Sequence, residues 1–301
     1  EYAFDINGIM YDPDTDAEVS HSVGHSLFEE FGIGNVTTAK LTLKIYADDI
    51  PRGATIKRYV RLVNGDTVSE WLPKGTFYTS RRAADEDLWS VDAYDALRKA
   101  EVEWVPDQNL SFPMTMPDAV AEFCRILGVE LDERTELNSS YTIDYPANSY
   151  TIRNELGFIA AAHGGNWIVT DEGRLRLVPL LPTGTAHKVG LDLVGLNDNG
   201  TRPPISRVTL WVDDDACLTS GDNTGRELAA DCPHATQAMV DALANSLTGF
   251  RYLAYNSKAV AIDPAAELGD SVIVGDLSSF VAAISDKGNG YPDISAPGEQ
   301  E

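Results

Sequence analysis

Apolar and polar residues alternate through the first third of the chain. Two stretches, 41–46 and 89–93, place an apolar side chain at every second position. This period of two is typical of strands that bury one face. Turn sequences rich in Pro, Gly and Asn interrupt the alternation at short intervals, at 51–53, 64–66 and 73–75. The pattern predicts a compact antiparallel barrel or sandwich rather than alternating βαβ units.

The period changes in the middle third. Thr115, with Asp118 three residues later, resembles a capping box, and Gly128 supplies a helix stop. The apolar residues between them fall at helical spacing, at Val120, Phe123, Cys124 and Leu127. The pattern therefore predicts an amphipathic helix that ends at Gly128.

Two further helical segments and a hairpin are predicted on either side of this helix. A short one covers about 94–103, and a longer one covers about 151–163 and stops at Gly-Gly. Residues 166–169 and 175–177 then read as two strands joined by an Asp-Glu-Gly turn. Helices and hairpin together suggest a small α/β insert.

The last third returns to strand patterns, at 208–212, 250–255 and 271–274. One helix is predicted over about 233–247, and Gly249 ends it. Its apolar residues need a partner surface, so we expect the helix to pack on the neighbouring sheet; they are Val240, Leu243 and Leu247.

The patterns together predict an α+β chain with two antiparallel β-barrel-like domains and a small helix-containing α/β insert between them. The predicted units are a first barrel at 1–107, the insert at 108–180, and a second barrel with one helix at 181–285. The remainder, 286–301, is rich in Gly, Pro and acidic residues, and we expect a flexible tail there.

Composition narrows the classes of function. The 301 residues are 43% hydrophobic, which suffices for a core, and 47 acidic against 23 basic residues give a net charge of −24. Affinity for nucleic acid comes mainly from Lys and Arg, so this charge argues against phosphate-backbone binding. The three cysteines form no C-x-x-C pair or disulfide framework, which favours a reducing compartment. No apolar run reaches the length of a membrane span.

Two groups of residues mimic metal sites. His21 and His25 are four residues apart, but Ser22 stands where a zincin needs Glu, so we favour ordinary histidines. Three alternating aspartates at 12–16 resemble the start of a calcium loop, but the later Gly and Glu of that loop are missing. We interpret them as a solvated acidic turn.

Other candidate motifs are weaker. We interpret the acidic cluster of Asp213–Asp215 with Asp222 as a loop tip; the alternative is a weak site for a divalent ion. We interpret Gly32-Ile33-Gly34 as a turn, because the third glycine of a dinucleotide-binding fingerprint is missing. Cys124 is expected on an apolar helix face, where a thiol is usually packing. The carboxylates at 85–87 could be imagined as a glycosidase dyad, but acids cluster by chance in so acidic a chain.

Clustered aromatic residues leave two interpretations open. At alternate strand positions they favour a core, whereas a sugar-binding platform is the alternative; they are Trp71, Phe77, Tyr78, Trp89, Tyr94 and Trp104. No catalytic, cofactor-binding or metal-binding residue is predicted, and the interface residues stay unassigned.

An ordered series of short motifs runs through nearly the whole chain. The series is FGIGN at 31–35, LTL at 41–43, IPRGA at 50–54, VRL at 60–62, SEWLPKGTF at 69–77, AYDAL at 93–97, MTMPD at 114–118, TIRNELG at 151–157, GGNWI at 164–168, GRLRL at 173–177 and DPAAELGD at 263–270. It resembles the tail-hub proteins of tailed phages and prophages, whose fold is that of the T-even baseplate hub.

The resemblance implies a nonenzymatic virion tail component, present in the host cytoplasm during assembly. It implies a homotrimer whose paired barrels form a pseudo-sixfold ring between tail tube and tip, with a channel for DNA. Its partners would be the tail tube or distal tail protein, the tip, fibre or spike proteins, and the tape-measure protein. No cell-wall-cutting activity is carried over from relatives with further domains. The alternative is a carbohydrate-binding or receptor-binding module of a tail tip, using Trp71, Trp89 or Trp104.

Overall fold

A computed structural model describes most of the chain. The described residues are 1–28, 30–146, 150–181, 187–189, 195–201, 203–258, 264–274, 277–288 and 293–299.

The N-terminal region is formed by strands, as the alternation predicts. The strands are β1 (Tyr2–Ile6), β2 (Ile9–Tyr11), β3 (Glu18–Ser26), β4 (Lys40–Tyr46), β5 (Thr55–Val60), β6 (Val63–Asn64), β7 (Thr67–Val68), β8 (Leu72–Asp85) and β9 (Leu88–Tyr94). In β4 the three residues expected to point inward are fully buried: Leu41, Leu43 and Ile45. Short 3-10 helices cover Pro13–Thr15 and Ala96–Glu101.

Helices and short strands follow in the middle of the chain. They are β10 (Met114–Thr115), α1 (Met116–Leu127), β11 (Thr142–Ile143), α2 (Ile152–Ala162), β12 (Gly165–Val169) and β13 (Leu175–Pro179). These include both predicted helices and the predicted hairpin, whose strands pair in antiparallel register from Gly165 with Pro179 to Val169 with Leu175.

The C-terminal region returns to strands with one helix. Its elements are β14 (His187–Val189), β15 (Gly195–Thr201), β16 (Ile205–Trp211), β17 (Cys217–Gly221), β18 (Arg226–Asp231), α3 (Gln237–Leu247), β19 (Tyr252–Lys258), β20 (Ser271–Val274), β21 (Leu277–Phe280), β22 (Ala283–Asp286) and β23 (Asp293–Glu299).

The mixed α/β class with mostly sheet is confirmed, but the strands are arranged differently from two closed barrels. Most of them join one 14-stranded sheet in the order β14-β20-β21-β23-β22-β3-β4-β9-β8-β5-β1-β2, with β19 joined to β23 and β15 to β19. The antiparallel pairing of β22 with β3 unites the two halves. Among the described strands no barrel closes. The sequence could not predict this arrangement, because strand alternation shows which face of a strand is buried but not which distant strand is its neighbour.

Local sequence explains the ends of α1. The Thr115 hydroxyl accepts a hydrogen bond from the backbone N–H of Asp118, at 3.2 Å. At the other end Gly128 adopts a φ of +71°, which a residue with a Cβ rarely takes, and its N–H closes the last turn on Cys124. The predicted start and stop are confirmed.

The helix predicted over about 233–247 begins later than expected. Residues 232–235 form a turn, and the Thr236 side chain caps the helix by accepting from the backbone N–H of Met239. The chain therefore becomes helical at Gln237 rather than near Pro233. As expected, α3 packs on a neighbouring sheet, the three strands β17-β16-β18.

The buried side chains form two cores. The first lies within the N-terminal strands and contains Phe4, Leu41 and Phe77. The second joins all three helices, the β12–β13 hairpin and β16. Because this core includes residues before and after position 180, the predicted insert packs directly against the C-terminal region. None of the described helices is long and apolar enough to cross a membrane.

The chain end differs from the flexible tail expected over 286–301. Residues 293–299 form β23, which pairs with β19, with β22 and at one position with β21. Backbone hydrogen bonding to neighbouring strands needs no apolar side chains, so the Gly- and Pro-rich composition of this segment did not indicate the strand. Residues 289–292 and 300–301 of the expected tail lie outside the described residues.

A glycine contact between α2 and the N-terminal segment provides a test of this packing. A Cβ at Gly157 would lie 2.9 Å from the backbone carbonyl oxygen of Gly34. We expect Gly157→Ala to lower the free energy of unfolding by about 1–3 kcal/mol, because neither backbone segment can move freely. Urea denaturation measures this as a lower midpoint at unchanged slope.

The matched control is Gly24→Ala on β3. A Cβ there would meet no atom within 4 Å. Its unfolding midpoint should stay close to that of the wild type. Equal midpoints for the two variants would show that α2 does not press on the Gly34 turn.

Candidate functional site

The densest set of charged side chains lies where the N-terminal strands meet the C-terminal region. Its centre is an ion pair between Arg58 on β5 and Asp286 at the end of β22. Their side chains are only 3% and 11% exposed. The Tyr2 hydroxyl also donates to Asp286, at 3.3 Å, and the Arg58 guanidinium lies over the Tyr2 ring, 4.9 Å from its centroid.

His21 extends this pair toward the surface. Its Nε2 lies 3.2 Å from a terminal nitrogen of Arg58, and its Nδ1 lies 2.6 Å from a carboxylate oxygen of Glu18. Arginine can only donate, so Nε2 accepts and the ring proton is on Nδ1, where it donates to Glu18. Burial alone would raise the pKa of Asp286, but Arg58, the Gly288 N–H and His21 together lower it below its usual value.

A second group of charges joins the β12–β13 turn to the loop at 264–270. Lys74 of β8 pairs with Asp171 in the turn, and the Asp171 N–H donates to Glu267, at 2.9 Å. Arg134 reaches the same glutamate at 2.8 Å. Arg176 lies 3.7 Å from it. We call the two groups together the junction network. Apart from His21 with Glu18 on β3, its charged pairs link segments distant in sequence.

A cavity of about 190 Å³ lies between the two groups. Its walls are mostly apolar and include Phe77, Ile168 and Ile284, with His25 and Asp95 among the polar residues. Burial lowers the pKa of His25 to about 4, so the ring is neutral at pH 7. Its Nε2 is buried and has no hydrogen-bond partner among the described residues.

Asp95 is a buried carboxyl group at the cavity with a shifted pKa. Burial raises its pKa to about 7, although two backbone hydrogen bonds and the charge of Arg153 oppose the shift. Its two oxygens accept from the N–H groups of Ala39 and Leu97, at 2.7 and 2.9 Å. Asp95 therefore caps the 3-10 helix and ties it to the segment before β4.

This geometry is that of a structural junction. The acids around the cavity already accept from Lys74, Arg58, Arg134 or backbone N–H groups. What the arrangement does is hold three chain segments in register.

The two histidines of the metal-like motif do not converge. Both lie on β3, where His21 is engaged by Glu18 and Arg58 while His25 faces the cavity. In the part of the chain that the structure describes, no group of three or more His, Cys, Asp or Glu could hold a metal ion. The interpretation of His21 and His25 as ordinary histidines stays a prediction.

The acidic motifs lie in turns. Asp12 caps the Pro13–Thr15 helix by accepting from the Asp14 N–H, at 3.1 Å. Asp213 accepts from the backbone N–H groups of Asp215 and Ala216, at 2.9 and 2.7 Å, as expected for a loop tip. Asp85 is the last residue of β8, and Glu86 and Asp87 form the turn between β8 and β9.

Two further motifs have packing roles. Gly34, with a φ of +82°, forms a turn whose N–H donates to the Gly165 carbonyl, at 2.9 Å. Cys124 is buried on α1, and burial raises the pKa of its thiol to about 11. A protonated, buried thiol is not a nucleophile, as the sequence predicts.

The aromatic residues offer little free surface for a sugar. Trp104 is buried against Phe123, with their ring centroids 4.9 Å apart. Trp71 and Trp89 each carry a guanidinium over the ring, 4.3 Å away for Arg61 and 5.2 Å for Arg82. These contacts favour the core interpretation over a stacking platform.

Sequence reasoning missed the junction network. Arg58 and Asp286 are 228 residues apart, and neither belongs to a recognisable motif. The motif series nevertheless contains three of its residues: Lys74 in 69–77, Arg176 in 173–177, and Glu267, which binds the network arginines, in 263–270. Asp263, the first residue of that motif, lies outside the described residues.

Comparison with solved structures shows the fold at full length. The 43 kDa tail protein of prophage MuSo2 from Shewanella oneidensis matches with a TM-score of 0.61 and 13% identity, over 100% of this chain and 98% of that one. The tail protein from Neisseria meningitidis matches with a TM-score of 0.58 and 13% identity, over 100% of this chain and 96% of that one. A prophage tail protein from Listeria monocytogenes matches with a TM-score of 0.57 and 12% identity, over 99% of this chain and 94% of that one. No family model and no curated protein matches the sequence.

The buried ion pair can be tested by removing one partner. Arg58→Met leaves the Asp286 carboxylate buried without its cation, so we expect a loss of about 3–5 kcal/mol in the free energy of unfolding. The double variant Arg58→Met with Asp286→Leu should recover most of that loss, because no unpaired charge remains. Urea denaturation of the three proteins measures both effects.

The control is Arg125→Met, which removes an ion pair to Glu122 whose arginine side chain is 68% exposed. Its unfolding midpoint should hardly change. An unfolding midpoint of Arg58→Met close to that of Arg125→Met would contradict a structural role of the pair between Arg58 and Asp286.

The raised pKa of Asp95 predicts a pH dependence of stability. In the unfolded chain its pKa is near 3.8, and in the folded protein it is about 7. The folded state therefore holds the proton more tightly, and this contribution is full below about pH 4 and is lost as the pH rises through 7. The slope reaches at most about 1.4 kcal/mol per pH unit.

Asp95→Asn should remove this slope between pH 4 and 7, while Asp66→Asn in an exposed turn should keep it. Denaturation midpoints measured at several pH values compare the three proteins. Identical pH profiles for the wild type and Asp95→Asn would show that Asp95 titrates alike in both states.

Proposed function

We propose that this protein is a structural component of a phage or prophage tail, located in the virion. The observation that carries the proposal is a fold shared with three tail proteins, two of them from prophages, over essentially the whole of each chain. The junction network supports it, because its charges are used to hold segments together rather than to present a reactive group.

The finer proposal is a homotrimeric hub ring between the tail tube and the tip complex. Each subunit would contribute two barrel-like domains to a pseudo-sixfold ring. The sheet supports this idea, because its strands β14 and β15 each pair with only one strand among the described residues. Unpaired edges are where further strands add, and a head-to-tail contact between copies can close a ring.

The acidic composition supports a channel for DNA. Walls carrying Lys and Arg would release counterions and hold the phosphates, whereas acidic walls let DNA pass. The net charge of −24 provides acidic surface in each subunit. The tube or distal tail protein, the tip, fibre or spike proteins and the tape-measure protein would be the partners of such a ring.

The proposal predicts the mass and the shape of the purified protein. Mass photometry over a concentration series should show a species of three times the 32.7 kDa chain mass. Negative-stain class averages of the same sample should show rings with threefold symmetry and a central opening. A monomer or a dimer at every concentration would contradict the hub proposal while leaving the shared fold intact.

A further inference from the structure

An open groove lies at the β2 end of the large sheet, far in strand order from the junction of β3 with β22. It has a volume of about 790 Å³ and lies between the β1–β2 hairpin and the turn that follows β4. Its lining includes Ile9, Met10 and Tyr46, which are 60%, 46% and 46% exposed. Ile9 and Met10 are neighbours on β2, so their side chains lie on opposite faces of the sheet. We call the apolar part of the lining the floor.

The strand β2, which lines the groove, is an edge strand of the sheet. β2 pairs with β1 on one side, from Phe4 with Tyr11 to Ile6 with Ile9. On its other side no strand of the described residues follows, since the sheet order ends at β2. Such an edge offers a row of N–H and C=O groups that an extended peptide can use as a template.

The rim of the groove is acidic. Four exposed aspartates line it, and no Lys or Arg is among its described lining residues; the aspartates are Asp16, Asp48, Asp49 and Asp87. Their effect is visible at Tyr11, whose pKa is raised by burial and by the charge of Asp48. An occupant with basic side chains would therefore be attracted, and an acidic one repelled.

We propose that this edge groove binds an extended basic segment of another protein, with backbone pairing along β2 and apolar side chains over the floor. The segment would alternate apolar residues, which face the floor, with Lys or Arg, which face the rim. A strand places successive side chains on opposite faces, so one strand can supply both.

Charge argues against a second copy of this chain as the occupant. The chain has 47 acidic and 23 basic residues, and adjacent basic residues occur only as pairs such as Arg81-Arg82 and Arg98-Lys99. At this groove the four aspartates would meet another acidic surface, which costs repulsion at this site, whereas contacts between copies at the other sheet edges do not involve these aspartates. The inference does not depend on ring formation, since the groove is complete within one chain.

The test uses a fluorescent, capped heptapeptide in which Lys and Val alternate, added to the full chain. Fluorescence anisotropy should show saturable binding that weakens as salt rises. Asp48→Asn with Asp87→Asn should weaken it by about tenfold or more, because two attracting charges are lost. The matched control, Asp214→Asn with Asp215→Asn, removes two exposed acids at a loop tip and should leave binding unchanged.

A second peptide separates strand pairing from charge attraction alone. It has the same composition, but its lysines stand together, so it cannot place valines on one face and lysines on the other. It should bind at least about tenfold more weakly. Absence of binding by the alternating peptide, equal affinity of the two peptides, or equal affinity of the two double variants would overturn the proposal. The mass and ring measurements above stay unaffected by any of these results.

Discussion

The buried ion pair between Arg58 and Asp286 is the constraint on which the arrangement of the two halves depends. Moving two charges out of water costs several kcal/mol per ion, and the cost is recovered only when the partners meet with good geometry. Asp286 is the last residue of β22, and its backbone is in register with Val23 of β3. The pair therefore allows one alignment of β22 on β3 and penalises shifted ones.

The second part of the junction network acts on a different element of the same boundary. Lys74 and Asp171 join a long strand of the first core to the hairpin of the second. Glu267 then connects that hairpin turn to the C-terminal loop. Between these polar contacts lies a largely apolar cavity, so the two cores meet through charges at the edges rather than through continuous packing. Such a boundary fixes orientation while each core keeps its own packing.

Features set by neighbouring residues could be predicted from the sequence. The α1 helix begins at a Thr115 cap and ends at Gly128, and β4 buries every second residue, because these depend on nearby dihedral and solvation preferences. The start of α3, the union of the sheet through β22 and the strand at 293–299 could not, because each depends on a partner chosen from the rest of the chain. The same holds for the candidate site, since Arg58 and Asp286 carry no local signature.

The pairing of β3 with β22 also bears on synthesis. β3 ends at Ser26, whereas β22 begins at Ala283, so one edge of β3 waits for nearly the entire polypeptide to leave the ribosome. At typical elongation rates the delay is on the order of tens of seconds. During that time β4 covers only the other edge. The mostly polar residues of β3, with few bulky apolar side chains, suit a strand that must stay unpaired in a crowded cell without capturing a neighbouring nascent chain.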